Sequence, residues 1–125
     1  MEHNYHIRVL ARPFYLPEQS NEASEQYTFA YQITIENTGT ITAKLIARHW
    51  IIEDATGKTQ EVRGLGVIGE HPELAPGEIY EYTSGVTLET PVGTMRGTYQ
   101  MIAADGTEFE AQIEQFVLSM PRTLH

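Results

Sequence analysis

The chain of 125 residues carries eight Lys and Arg against 17 Asp and Glu, a formal charge of −9 at pH 7, and contains no cysteine. That length fits one domain spanning residues 1–125, able to bury an ordinary apolar core without metals or cross-links. The acidic balance opposes binding to nucleic acid or anionic membranes, and the missing cysteines exclude disulfide frameworks, thiolate metal sites and a catalytic thiol.

The opening MEHNYHIRVL holds no apolar run long enough for a secretory leader. No stretch approaches the roughly 18 apolar residues that cross a bilayer, so a cytoplasmic location with no membrane partner is expected. Tyr5, Ile7 and Val9 alternate and predict a first strand ending before Pro13, and the polar segment 17–25 reads as a mobile loop. From residue 27 to 35 the odd positions Tyr27, Phe29, Tyr31, Ile33 and Ile35 are apolar between mostly polar neighbours, the period of a half-buried strand. Asn37-Thr38-Gly39 ends that run with residue types that favour turns.

Residues 43–54, AKLIARHWIIED, are rich in β-branched and aromatic side chains, with Ile46, Trp50 and Ile52 sharing one parity. A turn at Thr56-Gly57-Lys58 leads to a short edge strand near residues 60–63. Pro76-Gly77 has the chemistry of a type II turn, and GEIYEYTSGV after it predicts another strand. Between residues 93 and 118 two alternating runs flank Asp105-Gly106, a strong hairpin signal. About seven strands without helical periodicity define an all-β chain, an immunoglobulin- or fibronectin-III-like antiparallel sandwich with Trp50 in its core.

One segment invites a functional reading. Gly64, Gly66 and Gly69 in RGLGVIGEHP match G-x-G-x-x-G, the spacing of a dinucleotide fingerprint. That fingerprint needs its last glycine to open a helix whose amides hold the pyrophosphate. Here Glu70 puts negative charge at that place, and Pro72 and Pro76 deny a helix, so the fingerprint is rejected. Arg63 with loop amides remains as a candidate anion nest. Otherwise the glycines permit an unusual backbone path on which Leu65, Val67 and Ile68 either close the sandwich core or face solvent as a partner-binding patch.

The stretch RGLGVIGEHPELAPGEIYEYTSGVTLETPVGTMRGTYQM, with RHWIIED before it and DGTEFEAQIEQFVLSMP after it, resembles the long central motif of the ApaG family, also called CorD. The resemblance covers nearly the whole chain. It implies a fibronectin-III-like sandwich that stands alone in bacteria and occurs as a domain in eukaryotic F-box proteins and in a polymerase-delta-interacting protein. It further implies an association with cobalt resistance and magnesium efflux in bacteria, and a protein-interaction role in eukaryotes. The family's glycine-rich motif falls on Gly64, Gly66 and Gly69, followed by Pro72, Pro76, Gly77, Tyr82, Ser84 and Gly85. Leu124-His125 stands where members more often finish Leu-Asn.

Divalent cations direct attention to His3, His6, His49, His71 and His125, but no pair has a recognised ligand spacing, so neither a metal site nor a cofactor is expected. Ser84 near Tyr82, and Glu70 beside His71, lack a third group to orient them, so no catalytic residues are assigned. The expected function is a non-enzymatic protein-binding sandwich. Its partner-binding loop comprises Arg63, Gly64, Leu65, Gly66, Val67, Ile68, Gly69, Glu70 and His71, beside a strand surface of Tyr80, Tyr82 and Ser84. The alternative is direct binding of a divalent cation or a phosphate-containing anion at this loop. Free sheet edges offer a route to a partner protein or to a homodimer.

Overall fold

In the computed structural model residues 2–121 are described, so His125 and the Leu124-His125 ending lie outside them. Eight strands follow in chain order: β1 (Ile7–Tyr15), β2 (Tyr27–Asn37), β3 (Ala43–Asp54), β4 (Thr59–Leu65), β5 (Glu73–Leu74), β6 (Ile79–Leu88), β7 (Val92–Ala103) and β8 (Glu108–Ser119). A smaller sheet has the order β1-β2-β6, and a larger one β4-β3-β7-β8, with β5 added to the β4 side of β3. Every pairing is antiparallel. The chain is therefore an immunoglobulin/fibronectin-III-like β-sandwich, closed along one side where β1 lies against β8.

The inward positions of both sheets meet in one core. Phe29, Tyr31, Ile33 and Ile35 of β2 face Leu45, Trp50, Met95, Tyr99, Met101, Ile113 and Leu118 of the larger sheet, all buried. Trp50 is held by rings at its edges, with centroids 5.4 Å from Tyr31, 6.3 Å from Tyr99 and 6.0 Å from Phe116. Such edge-on packing adds to the area term, and large-to-small changes at aromatic core positions cost ~3–5 kcal/mol. Asn37, the one buried polar residue among the described residues, donates from its side chain to Ile41 O and Leu74 O, both at 2.9 Å, and accepts from Gly39 N–H. It ties the β2–β3 turn to β5, a role that its reading as a plain turn former did not anticipate.

Four local expectations change. β1 runs through Pro13, which sits opposite Tyr31 on an outer strand of its sheet, where proline is tolerated. β4 is longer than residues 60–63. Segment 17–25 is built into two short 3-10 turns, Pro17–Gln19 and Glu22–Ser24, secured by Ser20 Oγ between Leu16 O and Thr28 N–H and by Asn21 capping Ser24. Ile46 does not share the face of Trp50. A bulge between Leu45 and Ala47 shifts the register against β7, so Ala43 and Leu45 point inward before it, Trp50 and Ile52 after it. The type II turn at Pro76-Gly77 and the Asp105-Gly106 hairpin stand as expected: Gly77 has φ +86 and Gly106 φ +88.

Candidate functional site

The glycine-rich loop fills a gap in the edge of the larger sheet. β4 pairs with β3 at Ala47 and beyond, and β5 pairs with Ala43 and Lys44, leaving Leu45 and Ile46 between them without a strand partner on that side. The loop supplies one. Gly66 N–H donates to Ile46 O at 2.8 Å, Leu45 N–H to Pro72 O at 2.9 Å, and His71 Nδ1 to Leu45 O at 3.1 Å. Because a carbonyl only accepts, the last bond fixes a proton on Nδ1 of His71.

Within the loop, Val67 and Glu70 exchange both backbone hydrogen bonds, at 2.9 and 2.8 Å, around a two-residue turn. Its central residues, Ile68 at φ +43 and Gly69 at φ +78, make it a type I′ turn, whose usual occupants are Asn-Gly. A β-branched residue in the left-handed region is a costly choice, of order 1–2 kcal/mol. The two readings of the apolar residues then separate: Val67 is 1% exposed and closes the core, whereas Leu65 and Ile68 are 73% and 58% exposed. Replacing Ile68 by Asn should raise stability in urea by about 1 kcal/mol, because Asn accepts this backbone more readily.

Each glycine of G-x-G-x-x-G has its own physical reason. A Cβ on Gly64 would lie 2.7 Å from the Arg48 guanidinium, and one on Gly66, at φ +62, would lie 2.2 Å from Glu70 O. Gly69 closes the turn and opens no helix. Arg48, which the sequence reading passed over, crosses Gly64 and donates from Nη1 to Leu65 O at 3.1 Å and Gly66 O at 2.8 Å, clamping the loop. The available signal was its parity with Trp50, which puts it on the inner face of β3 opposite a residue without a side chain.

Arg63, Glu70 and His71 are exposed, and Arg63 sits opposite His49 across the β3–β4 pair. The N–H groups of Gly66, Val67 and Glu70 are already taken by carbonyls. On β6, Tyr80, Tyr82 and Ser84 face the space between the sheets: Tyr82 is buried with its hydroxyl bonded to that of Tyr99, while Tyr80 and Ser84 are half-buried. His49 Nε2 lies 3.2 Å from Glu61 Oε1, and the His3 and His6 rings meet the hydroxyls of Thr40 and Thr38. Among the described residues no three His, Asp or Glu side chains gather as metal ligands. No helix among them is long and apolar enough to cross a membrane.

Fold and loop together define a class: a two-sheet sandwich whose edge strand breaks into a glycine-built turn with two apolar side chains on show. The model of the ApaG domain matches residues 17–103, and the chain belongs to the ApaG family. It is 60% identical to Protein ApaG of Nitrosospira multiformis and 57% identical to that of Thiobacillus denitrificans, in each case covering 97% of this chain and 95% of the relative. The crystal structure of the putative ApaA protein from Bordetella pertussis superposes with a TM-score of 0.92 at 55% identity, covering 95% of this chain and 97% of that one.

Proposed function

We propose that this chain is a non-enzymatic protein-interaction module whose contact surface centres on Leu65 and Ile68. The observation that carries this reading is Ile68 itself, apolar, exposed and held at a positive φ that most side chains avoid. Backbone strain kept at a solvent-facing apolar residue costs stability and gives the isolated fold nothing back, which is the pattern of a site retained for contact. Gly64, Gly66, Gly69 and the Arg48 clamp serve to present it. In bacteria, as the family resemblance implies, the interaction bears on cobalt resistance and magnesium efflux by acting on a transporter or stress pathway.

The test is a Leu65→Asp, Ile68→Asp double variant used as bait in affinity capture from lysate. It should melt cooperatively near the wild-type temperature and lose a partner that the wild type retains at fixed stoichiometry. Equal recovery by a folded double variant would remove the loop from the contact.

A further inference from the structure

The sandwich is closed on one side only. Along the other, the outer strands β4 and β6 flank a cleft of about 310 Å³ between the sheets. Trp50, Tyr31 and Met95, themselves buried, form its floor, Gln60 and half-buried Val62 line it from β4, and the consecutive residues 84–87, with half-buried Val86 among them, line it from β6. Four consecutive residues reach one cleft only when the strand's edge, and not just one face, is turned toward it. Among the described residues β6 pairs with β2 alone, so that edge carries backbone groups without a strand partner there. Its ten residues, IYEYTSGVTL, include neither Lys nor Pro, the usual devices that blunt an open edge.

Arg48 stands in the same cleft. It is half-buried, and its Nη1 bonds to the carbonyls of Leu65 and Gly66 are its only hydrogen bonds among the described residues, where it forms no ion pair. A guanidinium carries five N–H donors, and a partly desolvated one gains most from a carboxylate. Of the 17 acidic residues in the chain, none lines this cleft. The cleft therefore holds an open strand edge, half-buried valines on both flanks and an uncompensated cation.

We propose that it takes an extended peptide segment that adds as a strand to β6, lays an apolar side chain between Val62 and Val86, and places a carboxylate on Arg48. This rests on the reading of the chain as a protein-interaction module and specifies the chemistry of the partner. Since Arg48 also clamps the loop, one partner would cover both cleft and loop.

The probe is a phage library of random dodecapeptides selected on the full chain. Enriched sequences should carry Asp or Glu at a fixed place beside alternating apolar residues, as strand addition requires. For such a peptide, Arg48→Gln in the protein, or Glu→Gln in the peptide, should weaken binding by about tenfold or more. Gln60→Glu, which sets a carboxylate in the cleft from an exposed strand position away from the loop, should do the same in a protein with an unchanged melt. Enrichment of peptides without an acid, binding indifferent to both protein variants, or no enrichment at all would overturn the proposal. A dimer in sedimentation that Gln60→Glu dissolves, with no peptide enriched, would also overturn it and identify a second copy as the occupant. The Leu65, Ile68 double variant should still bind the peptide, so failure in the cleft and failure at the loop are separable.

Discussion

Gly66→Ala should lower the stability of the chain by about 1.5–3 kcal/mol and open the turn at residues 67–70. The new Cβ would meet the Glu70 carbonyl oxygen at 2.2 Å, and a backbone atom cannot rotate away as a side-chain end can. The φ of +62 adds a further penalty. The loss is capped by the cost of releasing the loop, in which Val67 leaves the core, ~1.5–3 kcal/mol for a buried valine. Gly69→Ala is the control: its φ is +78, but nothing lies within 4 Å of the added carbon, so it should cost only about 1 kcal/mol. Urea midpoints of the two variants, with Val67 amide exchange as a local probe, check both halves. Equal losses would mean that the close approach of Gly66 to Glu70 is not what closes the turn.

Stability should also fall steeply as pH rises from about 10 to 12. Burial pushes the Tyr82 hydroxyl from its ordinary 10.0 up to about 12, and burial beside Tyr82 pushes Tyr99 upward too. Both shifts favour the neutral phenol in the folded chain. Below pH 10 both states keep the proton and the advantage is whole. As pH rises, the unfolded chain releases its protons first, so the folded state loses ground until Tyr82 itself ionises. At 1.36 kcal/mol per unit, the Tyr82 shift alone is worth about 3 kcal/mol. Tyrosinate absorbance should show these two rings titrating together with loss of tertiary circular dichroism. Ionisation of both within an intact fold would contradict the burial seen between the sheets.

Strand alternation made most of the fold legible. Phe29, Tyr31, Ile33 and Ile35 share a face because a strand's period is two, and Pro76-Gly77 and Asp105-Gly106 mark turns because few residues satisfy those backbones. Ile46 was misplaced because a bulge changes parity without changing residue types, and its carbonyl partner, Gly66 N–H, lies twenty residues on in the sequence. Asn37 reads as a turn former because its two carbonyl partners, at positions 41 and 74, come together only in three dimensions. At the loop the glycine spacing and the unusual backbone path it permits were visible, but not the contact that each glycine makes room for. Nothing local distinguishes Val67, which turns inward, from Ile68, which turns outward, because the I′ turn centred on Ile68 and Gly69 sets the direction. Arg48 was missed for a related reason, since an arginine on a β-rich segment reads as a surface charge until Gly64 is seen to make room for it.

The placement of Pro13 has a bearing on solubility. Growth of a chain of sandwiches by edge pairing requires every molecule to offer two compatible borders, one to accept a neighbour and one to be accepted. In the smaller sheet β1 lies against β8 and carries a residue without a backbone donor, with Arg8 and Arg12 before it, while the border formed by β6 is unguarded. Such a molecule can receive a guest on one flank without handing the same invitation onward, so an adhesive surface stays compatible with life as a discrete particle.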